Sequence, residues 1–546
     1  MPCVVGEGRD SRTGHAHSLA CTPPTFVAEE GKSQGHILPN SPIPYFLTQS
    51  LWDAIHEVVK KERPKEHRTA LEEFAANRLN WLLMAGSAGN GTSKRVVLLV
   101  STTASFIFPF MASTVIVALP SLGKELSLDT GMLGWVATAY LLSSAALLVP
   151  FGRIADIYGR KKIFACGIGI FALSSLFCGT ANSAGMLITW RVLQGIGGAM
   201  LAGTSVALLT TVFPANQRGK VLGIIVAASY LGLSLGPVLG GVLTQHLGWR
   251  SLFFLSALLG LAVIGIVLWK LKGEWTGAKG ERFDLVGSII YSLGLIALVY
   301  GFTLLPASSG VGLIIAGAIA LSVFVKWEMR TTSPVLDVSL FRNSKTFTLS
   351  NLAALINYSA TYAVTFLISL YLQYRPMQPF NAQDAGLILV AMPAVQAVFS
   401  PLTGRLSDRI EPRLIASTGM VLNTVGLTLF IFLNEETSLK LIMGNLIMIG
   451  FGFALFVSPN TNAVMSSAPK MAYGVASATL ATMRQIGMVL SMGIAMLMFT
   501  LYNIANVQIT PEWYSLFQES MKTSFIVFAI LCFGGIFASL ARGKVR

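Results

Sequence analysis

Apolar runs of about twenty residues recur from Val96 to Leu540, broken only by short polar segments, and this feature constrains the fold more than any other. A run of that length is what a helix needs to cross the hydrocarbon core of a bilayer. Fourteen spans can be drawn, at 96–120, 131–152, 163–181, 186–212, 221–244, 251–271, 285–305, 310–327, 346–373, 384–404, 413–433, 439–462, 472–500 and 520–540. Composition agrees, since 53% of the residues are hydrophobic and only 12% are charged. The expected fold is therefore all-α and membrane-integral, with the lipid bilayer as solvent.

The formal net charge of +14 does not indicate nucleic acid, because the basic residues sit in short connections between spans. Arg160, Lys161, Lys162, Lys270, Lys272, Arg405, Arg409 and Arg413 all follow even-numbered spans, whereas Lys124, Arg250, Arg375 and Lys440 follow odd-numbered ones. The positive-inside rule then predicts that both termini are cytoplasmic, in a multi-pass protein of the plasma membrane. Cys3, Cys21, Cys166, Cys178 and Cys532 show no paired framework and are expected as free thiols.

Residues 1–93 read as a cytoplasmic extension, with 1–45 too polar and too rich in Pro, Gly and Ser to bury a core, and with helical spacing over 50–82. Five of the six histidines fall in this extension without convincing metal-ligand spacing, and translation from Met84 is an alternative start.

Self-similarity gives the domain plan. Gly152-Arg-Ile-Ala-Asp156 recurs as Gly404-Arg-Leu-Ser-Asp408, an offset of 252, and the pair Gly223/Gly236 recurs as Gly474/Gly487, an offset of 251. Both copies of the first motif follow an even-numbered span, so the halves are parallel. The plan is a six-helix bundle over 94–272, two inserted helices over 273–345 and a second six-helix bundle over 346–546. Two similar bundles around a shared cavity can rock, exposing a site to one side at a time.

Three segments carry candidate function. The first is a cluster at the membrane edge, Gly152, Asp156, Gly159, Arg160 and Lys161, with Gly404, Asp408 and Arg409 as its second copy. An acid at a helix C-terminus is disfavoured by the helix dipole and needs a partner, which suits a switchable cytoplasmic latch. The second is Arg191 with Gln194 one turn on, about five residues or roughly 7 Å inside the fourth span, where a buried cation marks a partner or a transport path. The third is the fifth-span stripe Gly232, Gly236, Pro237, Gly240 and Gly241, read as close helix packing with a proline hinge.

These segments resemble the signature motifs of the major facilitator superfamily, and fourteen spans make the chain similar to its drug/proton antiporter branch over residues 94 to about 545. Pro334-Val-Leu-Asp337 and Ser458-Pro459-Asn460 also look like pieces of that branch. The resemblance implies a secondary active exporter of small amphiphilic compounds, working by alternating access with the proton as coupling ion, as a monomer with no cofactor.

The chain departs from the branch at Met111, where relatives often carry an acid in the first span. No carboxylate falls near the middle of any span, since Asp156, Asp284, Asp337, Asp384 and Asp408 all lie at or beyond span ends. Arg484 and Gln485 add a second buried cationic site in the thirteenth span, so an anionic or neutral amphiphile is the expected substrate. Asn357, Tyr358, Tyr362, Gln396, Asn460 and Asn462 are the candidates to line a cavity, because polar side chains in spans prefer protein or water to lipid. A pump is excluded by the lack of a GxxxxGK[ST] loop, and nothing clusters the acids, bases or metal ligands that an enzyme needs. A narrow-substrate facilitator or exchanger and a non-transporting sensor stay open as alternatives.

Overall fold

A computed structural model of the chain describes residues 94–543, except 337, 377, 378 and 470–472; the expectations for residues 1–93, including a start at Met84, lie outside the described residues. The described chain is all helix: α1 (Lys94–Leu126), α2 (Thr130–Tyr158), α3 (Arg160–Gly179), α4 (Ala184–Val212), α5 (Ala215–Leu247), α6 (Arg250–Lys270), α7 (Leu285–Leu304), α8 (Ser308–Glu328), the short α9 (Ser339–Asn343), α10 (Lys345–Thr361), α11 (Ala363–Tyr374), α12 (Ala382–Leu389), α13 (Ala391–Leu406), α14 (Pro412–Phe430), α15 (Leu439–Ser466), α16 (Tyr473–Leu501) and α17 (Tyr514–Ala541). They make fourteen helices long and apolar enough to cross a membrane, because α10 with α11 and α12 with α13 each form one span.

Local chemistry sets the ends. Asp129, Ser183, Asp284, Ser344 and Asn381 cap α2, α4, α7, α10 and α12, each accepting from an amide in the first turn. The α2–α3 junction turns on Gly159 at φ +126°, a conformation L side chains rarely adopt. Helix α2 runs through Gly152-Arg-Ile-Ala-Asp156 to Tyr158, so the motif is helical where the sequence placed it just beyond a span.

Packing repeats between the halves. In the first, α1 packs on α5 and α6, α4 on α2 and α3, and α3 on α6. In the second, α10 packs on α16 and α17, α15 on α13 and α14, and α14 on α17. The glycine markers obey the same rule: a Cβ on Gly236 would meet Ser113 of α1, and one on Gly487 would fall 2.6 Å from the Leu355 carbonyl oxygen of α10. The fold is thus two parallel six-helix bundles with α7 and α8 inserted between them. That inserted hairpin leans on α2, where Tyr291 Oη and Ser292 Oγ donate to the Ala145 and Ala146 carbonyls at 3.0 and 2.8 Å.

The halves meet crosswise, α2 against α16 and α5 against α12 and α13. Asp156 and Asp408 define one end of the molecule, here termed the basic end. Towards the opposite end the halves touch backbone to backbone: a Cβ on Gly241 would lie 2.4 Å from the Ala382 carbonyl oxygen, and one on Gly386 would lie 2.1 Å from that of Pro237. The Thr130 amide donates to the Val507 carbonyl at 3.0 Å, and Gln373 Nε2 donates to the Val117 carbonyl at 3.1 Å. Near mid-depth, Ser144 Oγ donates to Gln485 Oε1 at 3.3 Å.

Candidate functional site

A cavity lies at mid-depth between the halves. Ser113 and Ile116 of α1 and Leu233 and Pro237 of α5 form one wall. Tyr358, Thr361, Tyr362 and Thr365 face them from the α10–α11 span, with Met392, Pro393 and Gln396 of α12–α13, Phe453 of α15 and Met488 of α16 closing the rest.

Two interrupted spans bring their side chains to this depth. Between α10 and α11 the Ala363 amide donates to Ser491 Oγ of α16 at 3.0 Å instead of continuing the helical ladder. Between α12 and α13, Pro393 has no N–H to return to the Leu389 carbonyl. Irregular backbone at membrane depth is tolerated where it lines a cavity, as both breaks do here.

The lining is aromatic and thioether, with hydroxyls and one amide, and no carboxylate lies among the lining residues. Arg484 stands behind Tyr358, its guanidinium carbon 5.8 Å from the ring centroid and Nη2 donating to Thr461 Oγ1 at 2.6 Å. Its Nε is buried without a partner. Neighbouring Gln485 bonds across to Ser144 and so couples the halves.

Of the six polar lining candidates, Tyr358, Tyr362 and Gln396 line the cavity. The structure corrects the other three, which are absent from the lining and find partners inside the second bundle, although Asn357 Nδ2 is buried there without one. Asn357 Oδ1 accepts from Asn423 Nδ2 at 3.1 Å, joining α10 to α14. Asn460 Oδ1 accepts from the fully buried Arg542 at 2.7 Å, and Asn462 Nδ2 donates to Ser407 Oγ at 2.5 Å. An asparagine in a span binds whichever neighbour it meets first, which the sequence does not specify. Ser113, Thr361 and Thr365 were missed, because hydroxyls at helical spacing are common in spans and give no signal.

Arg191 is 1% exposed and is not among the lining residues; its hydrogen bonds lie within the first bundle. Its Nε donates to the Val136 carbonyl at 3.0 Å, Nη1 donates to Gln194 Oε1 at 2.6 Å, and Gln194 Nε2 passes the chain to Ser175 Oγ at 2.6 Å. The guanidinium also sits 4.3 Å from the Tyr140 ring centroid. These partners are neutral, and they tie α4 to α2 and α3. Met111, the position of the missing acid, is fully buried and takes a hydrogen bond from Ser256 Oγ of α6 at 2.6 Å.

In the glycine stripe, Gly232, Gly236 and Gly240 face α1, and Gly241 faces α12. Helix α5 continues unbroken through Pro237, so the stripe is first a packing surface. At the basic end Asp156 Oδ1 accepts from Arg160 Nε at 2.7 Å, and Arg160 also reaches the Ala207 carbonyl and Thr211 Oγ1 of α4. The connector before α7 completes the cluster: Gly277 and Ala278 donate their amides to the Asp156 carbonyl at 2.9 and 3.0 Å. Glu274 accepts from the Lys161 and Lys162 amides at the start of α3, and Arg153 pairs with Glu281. In the second copy, Gly404 packs against Ser458 of α15 while Asp408 and Arg409 are exposed. The named partners of Asp156 and Arg160 all belong to the first half and its connector.

The Major Facilitator Superfamily family model matches residues 102–377 and 350–544. The multidrug resistance protein Stp of Mycobacterium tuberculosis is 30% identical over 400 residues, covering 72% of this chain and 74% of Stp. The riboflavin transporter RibZ of Clostridioides difficile is 25% identical over 446 residues, 81% of this chain and 96% of RibZ. The fold also matches the crystal structure of a bacterial homolog of the human lysosomal transporter Spinster, with a TM-score of 0.61 and 16% identity, over 84% of this chain and 98% of that one. The chain accordingly belongs to the major facilitator superfamily and is a membrane transporter rather than an enzyme.

Proposed function

We propose that the protein exports small amphiphilic compounds from the cytoplasm across the plasma membrane by alternating access, in exchange for protons. The observation that carries this reading is the mid-depth cavity, walled by both halves and lined by Tyr358, Tyr362, Phe453, Met392, Met488 and Gln396. Aromatic faces and flexible thioethers accept varied apolar bodies, while a single amide and a few hydroxyls orient them. The carboxylate-free lining, with Arg484 behind Tyr358, favours neutral or anionic amphiphiles over cations. Relatives that include a multidrug resistance protein support export.

With the termini in the cytoplasm, the contacts at Gly241 and Gly386 close the outer side, and the cavity loads from within. A second reading, a carrier of one planar aromatic metabolite, draws support from similarity to a riboflavin transporter. The test is efflux of lipophilic dyes from cells lacking their own exporters, with Asp156→Asn and Tyr358→Ala for comparison. Multidrug export predicts efflux of several dyes, slowed by both substitutions and abolished by a protonophore. Efflux that survives the protonophore removes proton exchange. Failure of every dye, with transport of a flavin, selects the narrow carrier.

A further inference from the structure

The inserted hairpin carries a buried acid that transport by the central cavity does not use. Glu328, the last residue of α8, is 3% exposed and is the only Asp or Glu buried to that degree among the described residues. Its Oε2 accepts from the Leu336 amide at 3.2 Å, but Oε1 is buried with no donor. That oxygen faces a second carboxylate. A Cβ built on Gly287 would lie 2.7 Å from Glu328 Oε1 and 2.5 Å from Asp284 Oδ2, so the two oxygens are within 5.2 Å of each other, the sum of those distances.

Asp284 is held in place twice, by the Gly287 amide to Oδ1 at 2.9 Å and by Trp327 Nε1 to Oδ2 at 2.8 Å. The cation facing the pair from the adjacent bundle is Arg153 of α2, whose Nη2 pairs with Glu281 of the connector while its Nε is buried without a partner. Two carboxylates this close, one carrying an oxygen without a donor, repel when both are ionised. A proton supplies the missing donor and removes one of the charges. Absence of a side chain at Gly287 is what lets the two groups approach.

We infer that Asp284 and Glu328 form a proton-binding site at the basic end, holding one proton between them and linked to α2 through Arg153 and Glu281. Loading it changes the charge beside Arg153, which belongs to the same helix as Asp156, so a proton bound here can bias the contacts that Asp156 and Arg160 make. The site supplies the titratable group that the first span lacks at Met111. It rests on the antiport reading only for its coupling to transport, and proton binding is tested separately.

The experiment is infrared difference spectroscopy of the full-length protein in lipid vesicles, titrated through neutral pH, with dye transport under an imposed pH gradient on the same samples. Wild type is expected to show the carbonyl stretch of a protonated carboxylic acid, titrating in that range. Glu328→Gln is expected to lose the band. Asp284→Asn, on a half-buried residue whose amide keeps an acceptor for the cap, is expected to lose it as well. A band unchanged in both variants, or no titrating acid band in wild type, overturns the site. A band that behaves as expected, with dye transport indifferent to the gradient, supports the proton site and removes the antiport reading instead.

Discussion

Alanine at Gly241 or Gly386 should hold the outer side open. The added methyl would lie 2.4 Å from the Ala382 carbonyl oxygen in the first case and 2.1 Å from the Pro237 oxygen in the second, against about 3.4 Å for an ordinary contact. Both obstacles are backbone, which no rotamer change relieves. Helices α5 and α12 must therefore part by about 1.0 to 1.3 Å, the difference between those distances. Overpacking of this kind typically costs about 1–3 kcal/mol. That cost falls only on the state in which these helices touch, so the ratio of open to closed should rise about 5- to 150-fold. The assay is pulsed electron spin resonance between labels at Leu247 on α5 and Leu441 on α15, positions 70% and 68% exposed, in a background without native cysteines. Each glycine substitution should transfer population to the longer distance and slow dye export. A distance distribution identical to that of the parent would refute the idea that these glycines form the outer closure.

Arg191→Gln should destabilise the first bundle by about 1–3 kcal/mol, because it leaves Gln194 Oε1 without its donor and breaks the chain that ties α4 to α2 and α3, and thermal unfolding in detergent reads this directly. Tyr362→Ala should weaken dye binding several-fold at nearly unchanged thermal stability, as expected of a side chain that lines the cavity. Asn423→Ala should do the reverse, lowering stability by about 1–3 kcal/mol while sparing affinity, since its amide bonds Asn357 within the second bundle. Arg484→Gln should impair export of anionic dyes more than of neutral ones, measured as the ratio of initial efflux rates.

Much of this architecture was legible beforehand because bilayer thickness acts directly on sequence. A span leaves an apolar run of fixed length, and a glycine needed for close approach leaves a marker that recurs at the repeat offset, as Gly236 and Gly487 do. The cavity was only half legible. Tyr358, Tyr362 and Gln396 stood out as polar groups in apolar runs, but so did Asn357, Asn460 and Asn462, and partner choice depends on tertiary packing. The α10–α11 break arises from Ser491, a residue 128 positions from the amide it binds, and no local pattern announces it. Glu328 escaped because it sits where the eighth span was expected to end, and a carboxylate at a span end reads as solvated. Only its fold neighbours, Asp284 and the Leu336 amide, make it a buried acid.

The central claim is that the cavity between the halves carries an amphiphile outward in exchange for protons. Purified protein in sealed vesicles, oriented with the basic end outside and supplied with a fluorescent amphiphile, tests it by imposing an acidic interior. The account predicts dye accumulation that collapses when the pH gradient is discharged and falls several-fold in Tyr358→Ala. Dye that equilibrates at the same rate with or without the gradient, and in the variant as in the parent, would contradict it.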